Sequence, residues 1–389
     1  MSEALPPMAV NARMGRLVAR LADAGHGGDS GSKGGPGSVG GPGLDALIVT
    51  NLSNVRYLTG FTGSAGVLVV TEGRAVLTTD GRYRTQSVEQ VAAAGAEVEV
   101  VVGGVQAQRQ AVKDVLASSG RVGLEADDVT WAASRRWAEE LEGVEMVATA
   151  GLVEGLREVK DAGEIARMEQ AAAIADDALA DVLPLLHRSP DQPLTETRLA
   201  LELDTAMRRR GAEGTAFETI VASGPNSAKP HHRPVDRVIG AGEAVVIDFG
   251  AVFDGYRSDM TRTFCVGGEP EGELARVFEV VTQSQADGVA SVRAGAEAKH
   301  VDAVCRDVIA RAGWADAFEH GTGHGVGLDI HEAPTVSPLG TAILSPGTIV
   351  TVEPGVYLPG TGGVRIEDTL VVTENGSRPL TKFTKDIVP

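Results

Sequence analysis

The chain has 389 residues, 43% of them hydrophobic, enough to bury a large core and long enough for two or three domains. Its formal net charge of -18, with no basic cluster standing out from it, excludes a nucleic-acid surface, because phosphate binding needs a Lys/Arg patch. The two cysteines, Cys265 and Cys305, show no CxxC spacing, so there is neither a disulfide framework nor a zinc knuckle to read and a reducing compartment fits; with no signal-peptide pattern and no membrane-span-length apolar run, the chain is expected in the cytoplasm.

The opening MSEALPPMAVNARMGRLVARL interrupts any signal-peptide pattern with Glu3, Arg13, Arg16 and Arg20, and no apolar run reaches the length of a membrane span. A first helix is predicted over about residues 9–24. Residues 26–43, HGGDSGSKGGPGSVGGPG, have almost nothing to bury and read as a flexible surface insertion. From residue 44 the strands LDALIVT, GVLVVT, RAVLTT, EVEVVV and RVGLEA alternate with the helical stretches RTQSVEQVAAAG and QAQRQAVKDVLAS, so residues 1–150 form an α/β domain without a catalytic cluster.

Residues 151–161 connect to a second domain, 151–389, which begins with a long helical pattern at Ala162. That domain carries an internal echo. Helices lead into a strand pair at 244–264, and further helices at about 272–288 and 298–312 lead into a strand pair at 347–372. Each pair carries two carboxylates in an otherwise apolar setting: Asp248 and Asp259 in the first, Glu353 and Glu367 in the second.

A buried lone carboxylate is costly unless paired or bound to a cation. A two-residue turn near 253–255 makes Asp248 and Asp259 direct or diagonal cross-strand partners on one face. The Pro359–Gly363 connection places Glu353 near Glu367, with a register that its length leaves open. Like charges facing each other destabilise a sheet, so two such pairs imply a compensating cation, and this much carboxylate suggests two ions. A hydroxide shared between them would be the nucleophile. With one imidazole added, the oxygen-rich set suits manganese, cobalt, zinc or iron and does not by itself choose among them.

The stretch EHGTGHGVGLDIHEAP (319–334) places His320, His324 and His331 in a glycine-rich segment, three of the eight histidines in the chain. The Pro-bounded loop SGPNSAKPHHRP (223–234) adds His231 and His232 as candidate donors.

Together, VIDFGAVFDGYRSDMTRTF, HGTGHGVGLDIHEAP, TVEPGVYLPG and GGVRIED resemble the pita-bread metallopeptidases, specifically their Xaa-Pro aminopeptidase and prolidase branch. NVRYLTGFTGSAG (54–66) is similar to the creatinase-type N-terminal domain of the same branch, from which the insertion at 26–43 departs. The implied fold is an α/β N-terminal domain followed by an α+β pita-bread (creatinase/aminopeptidase) catalytic domain.

The resemblance implies that Asp248 holds one metal ion, that Asp259 and Glu367 bridge two, and that His324 and Glu353 complete the second. His231 and His331 would contact the substrate carbonyl, His320 and Arg365 would support them, and Glu353 would also relay the proton. The implied activity is that of a two-metal exopeptidase, an aminopeptidase P-like enzyme acting on peptides with proline at the second position and working as a homodimer. An Xaa-Pro dipeptidase is the alternative, with a methionine aminopeptidase or a metal-free peptide-binding or creatinase-like protein further off.

Overall fold

The computed structural model describes residues 5–24, 43–187 and 193–388. The glycine-rich stretch read as a surface insertion lies, apart from Gly43, outside the described residues. The chain divides into two compact units, Pro7–Arg157 and Glu158–Pro389, the latter joined by residues 1–6.

In the first unit the elements run α1 (Val10–Asp23), β1 (Ala46–Val49), α2 (Leu52–Thr59), β2 (Val67–Thr71), β3 (Ala75–Thr79), α3 (Arg84–Ala93), β4 (Glu99–Val102), α4 (Val105–Leu116), β5 (Arg121–Glu125), α5 (Trp131–Glu140), β6 (Glu145–Thr149) and the single turn α6 (Glu154–Arg157). The strands form one six-stranded sheet in the order β4-β3-β2-β1-β5-β6. It is mixed: β2 pairs antiparallel with β1 and β3, and the remaining pairings are parallel. β1 is buried along its whole length, which is why ALIV carries no polar alternation. Helix α2 starts at Asn51, whose side chain accepts from the Asn54 amide, and stops at Gly60, where φ is 77°.

The second unit opens with α7 (Ala162–Val182), started by a capping box in which Asp161 and Glu164 exchange side-chain-to-backbone bonds. It continues with α8 (Glu196–Arg209), β7 (Gly214–Thr215), β8 (Ile220–Ser223), β9 (Ala244–Phe249), β10 (Ala251–Phe253), β11 (Tyr256–Arg257) and β12 (Met260–Cys265). Then follow α9 (Gly272–Ser291), α10 (Ala298–Arg311), β13 (Gly323–Gly325), β14 (Glu332–Val336), β15 (Ile349–Val352), β16 (Gly355–Leu358), β17 (Gly362–Arg365), β18 (Asp368–Thr373) and β19 (Gly376–Pro379).

The echo in the sequence is visible in the packing. Ile174, Leu179, Leu203 and Met207 of α7 and α8 bury against Ile247, Phe249 and Phe264 of the first strand pair. Val277, Val281, Val301 and Ile309 of α9 and α10 bury against Val350, Val352, Val364 and Leu370 of the second. Each helix pair thus backs one carboxylate-bearing hairpin.

The first hairpin turns at Asp254–Gly255, where φ is 44° and 73°. Two successive left-handed residues match the twist of the strands they join, and Phe253 pairs with Tyr256 across them. In β9 and β12 Asp248 pairs with Thr261, so Asp259 is its diagonal neighbour. In the second hairpin the Val352↔Asp368 and Gly355↔Arg365 pairings share one register, which puts Glu353 directly opposite Glu367.

One expectation needs correction. Of the four carboxylates only Asp248 lies within a strand; Asp259 precedes β12, Glu353 follows β15 and Glu367 precedes β18. The regular ladders stop at Asp259, Glu353 and Glu367.

Candidate active site

The two hairpins meet edge to edge through threonines. The Glu367 amide donates to the Thr261 carbonyl at 3.1 Å, and the Thr369 hydroxyl donates to the Asp259 carbonyl at 2.8 Å. Thr263 Oγ1 accepts from the Arg365 amide at 3.1 Å and donates to the Arg365 carbonyl at 2.7 Å. Behind this seam the buried Arg262 pairs with Asp368 at 2.9 Å. Residues 259–263 therefore lie beside 365–369, and the two carboxylate pairs become one cluster.

The third contributor comes from β13. An added Cβ on Gly323 would stand 2.1 Å from the Thr351 carbonyl oxygen, so only glycine permits the approach that brings in His324. One ligand atom each from Asp259, His324 and Glu367 lie within 4.8 Å of one another. His324 Nε2 is 3.6 Å from Asp259 Oδ2 and 3.4 Å from Glu353 Oε1. His324 Nδ1 lies 3.0 Å from the Gly325 carbonyl, an acceptor that holds the proton on Nδ1 and leaves the Nε2 lone pair facing the acids.

Asp248 reaches the same cleft, with Oδ2 accepting from Arg365 Nη2 at 2.6 Å. Its Oδ1 is buried and accepts no hydrogen bond. A buried carboxylate oxygen without a donor costs free energy, and a cation is the partner that this donor set fits. Asp259, His324 and Glu367 form a cluster that could hold a metal ion, with Asp248 and Glu353 as further donors beside it.

The electrostatics agree with the geometry. Burial, then Glu367, Asp248 and Glu353, raise Asp259 well above the usual carboxylate range. Burial, then Glu353 and Asp248, do the same to Glu367. Burial pushes Glu353 up to about 8, with Asp248 adding to the shift and Arg365 opposing it. His324 moves the other way, pushed down to about 4 by burial and then by neighbouring His331, so its ring is neutral at pH 7.

His331 and His231 line the cleft and are exposed. The His331 ring stands edge-on to that of His324, with centroids 4.4 Å apart. His232, offered as a second donor in the same loop, is instead taken up in structure: its Nε2 is 2.8 Å from the buried Glu196. His320 Nδ1 lies 2.8 Å from the Gly321 carbonyl and its Nε2 lies 2.8 Å from Tyr357 Oη, which accepts from Arg365 Nη1 at 2.8 Å. Burial and then Arg365 push His320 down to about 4, so its neutral ring receives the Tyr357 proton.

Arg365 also donates through Nε to Thr261 Oγ1 at 3.0 Å, and so orients Asp248, Tyr357 and Thr261 together. Tyr357 had no distinguishing mark in the sequence beyond lying four residues after Glu353. Thr261 donates to Glu367 Oε2 at 2.8 Å and Thr351 to Glu353 Oε1 at 3.3 Å; neither differed from any strand threonine.

The cleft encloses about 600 Å³. The apolar part of its lining comes from Phe217, Ile220, Pro230 and Ile330.

Residues 166–374 match metallopeptidase family M24, and residues 40–159 match the creatinase/prolidase N-terminal domain. An uncharacterised peptidase of Bacillus subtilis (strain 168) is 43% identical over 347 residues, 89% of this chain and 96% of its own length. The solved Xaa-Pro dipeptidase from Bacillus anthracis matches with a TM-score of 0.87 at 36% identity, covering 97% of this chain and 99% of its own. The X-Pro aminopeptidase from Thermotoga maritima MSB8 matches at 0.80 with 34% identity, covering 89% and 97%. The chain belongs to metallopeptidase family M24, a hydrolase with a creatinase-type N-terminal domain and a pita-bread catalytic domain.

Proposed function

We infer that this chain is a two-metal exopeptidase that cleaves the bond before a proline in second position, as an Xaa-Pro aminopeptidase or, on dipeptides, an Xaa-Pro dipeptidase. The observation that carries the reading is the partnerless Asp248 Oδ1 within a buried carboxylate nest, beside an apolar wall of Phe217, Ile220 and Ile330. The named activities of the Bacillus anthracis and Thermotoga maritima structures support it.

Manganese is the first choice of metal, with cobalt, zinc or iron compatible with the same donors. Such ions supply Lewis-acid activation of water and polarisation of the scissile carbonyl. Asp248 would hold one ion, Asp259 and Glu367 would bridge the pair, and His324 and Glu353 would complete the other.

The other side chains do the remaining work. His231 and His331 donate hydrogen bonds to the carbonyl oxygen as charge develops on it. Glu353 passes a proton to the leaving nitrogen, and Arg365, with His320 behind Tyr357, keeps Asp248 in place. An Xaa-Pro bond carries no N–H, so the site has no donor to read and recognises the ring by shape, the task of the apolar wall. A homodimer in the cytoplasm completes the reading. The two buried free cysteines suit a reducing compartment, and among the described residues no helix is long and apolar enough to cross a membrane.

Manganese- and cobalt-loaded protein should be incubated with Ala-Pro, Ala-Pro-Ala and Met-Ala-Ser and the products identified by mass. Release of alanine with Met-Ala-Ser intact is expected. Cleavage of Ala-Pro alone would make the enzyme a dipeptidase, and release of methionine would overturn the proline reading. His331→Ala should lower kcat by about a hundredfold, the size of one lost oxyanion donor, while metal content stays at the wild-type level. Metal loss in step with the rate would make His331 a ligand instead.

A further inference from the structure

Apart from Pro230, the apolar wall comes from two segments far apart in sequence, 216–220 and 327–331, and one side chain joins them. Arg257, in β11, donates its backbone amide to the Gly327 carbonyl at 2.9 Å and its Nε to the Leu328 carbonyl at 3.0 Å. Its Nη1 donates to the Ala216 carbonyl at 3.0 Å. Ala216 directly precedes Phe217, and Leu328 lies two residues before Ile330, so the guanidinium spans the feet of both apolar sides of the cleft.

Both segments are also fixed independently. The Ala216 amide donates to the Gly250 carbonyl at 2.7 Å. On the other side, Glu332 accepts from the Asp329 amide at 3.0 Å and pairs with the buried Lys160 at 3.1 Å. Arg257 lies two residues before Asp259 on the same hairpin, so it refers the distance between the walls to the position of the metal-binding acids.

We propose that Arg257 is a positioning residue that sets the width of the proline slot, and through it the selectivity for a five-membered ring. This rests on the proline-directed reading given above. The fork of an arginine reaches two carbonyls in different directions at once, whereas a lysine offers one point charge on a flexible stem. Arg257→Lys keeps the charge and the backbone bond to Gly327 but loses the bridge, so each side is held only by its own anchors and the spacing between them loosens. A slot loosened in this way still accepts proline and no longer rejects a ring larger by one methylene.

The test compares kcat/KM for Ala-Pro with that for its ring-expanded analogue Ala-pipecolate in wild type, Arg257→Lys and Arg257→Met, with metal content and melting temperature measured alongside. The expected result is a fall of about tenfold or more in the preference for proline in both variants, the weight of one methylene in an apolar pocket, with metal content unchanged. If both substrates slow in proportion and the preference holds, the residue is merely structural and the proposal is overturned. If wild type cleaves neither peptide, the proline-directed reading fails by itself. Phe217→Ala keeps the proposal falsifiable where an Arg257 variant misfolds: it widens the slot directly, and an unchanged ring preference there would show that this wall does not read the ring.

Discussion

Asp259→Asn is expected to abolish hydrolysis, lowering kcat by about three orders of magnitude or more, and to strip metal from the protein. Asp259 is 4% exposed, and its acidity is suppressed by burial and then by Glu367, Asp248 and Glu353, so the only charge that justifies it there is a positive one. A carboxamide offers one neutral oxygen and turns an N–H toward the remaining acids. Elemental analysis after purification without chelators checks the metal, and a retained wild-type rate would contradict the assignment.

The same substitution separates ligand loss from misfolding through stability without metal. A carboxyl whose folded-state pKa is raised gives stability that is fully present below its ordinary range, near pH 4, and lost as pH rises through the raised value. The metal-free wild type should therefore melt progressively lower on going from about pH 5 to about pH 8, and metal-free Asp259→Asn, with one charge fewer, should melt higher than wild type at the upper end. With manganese present the order should reverse. A variant that melts lower under every condition would instead point to a packing defect.

Both hairpins were legible in the sequence because alternation and turn chemistry are local. Phe253-Asp254-Gly255 announces its own turn, and a period of two then carries Asp248 to the side facing Asp259. What could not be read is how the hairpins meet. The seam consists of the Thr263 and Thr369 hydroxyls binding backbone and the Thr261 hydroxyl binding the Glu367 carboxylate, each about a hundred residues away, and a threonine in a strand looks the same whether its hydroxyl meets solvent or another strand. The apolar wall was hidden for the same reason, since Phe217, Ile220 and Ile330 converge only in three dimensions.

In the first unit α2 is helical although Val55, Tyr57 and Thr59 are strand-favouring residues. Burial of Val55, Tyr57 and Leu58 and caps at Asn51 and Gly60 outweigh propensity there. The acids themselves stand out because a carboxylate among valines is costly without a partner, which implies their partnership but not that the ladders stop at Asp259, Glu353 and Glu367.

Metal uptake by the chelator-treated protein is expected to expel protons, and the apparent affinity should rise steeply with pH. Glu353, pushed up to about 8, holds a proton near neutrality that a dication must displace before it binds, and the upward shifts of Asp259 and Glu367 act in the same direction. His324, pushed down to about 4, is already neutral and contributes nothing to this release. Each displaced proton makes the affinity climb about tenfold per pH unit, so one proton or more gives at least about a hundredfold between pH 6 and pH 8. Titration calorimetry with manganese in buffers of differing ionisation enthalpy counts the protons from the slope of the observed heat. A heat independent of buffer, with an affinity that does not change over that range, would mean the acids were already ionised before the metal arrived. Asp248, Asp259, Glu353 and Glu367 would then lack the mutual repulsion from which the metal centre was inferred.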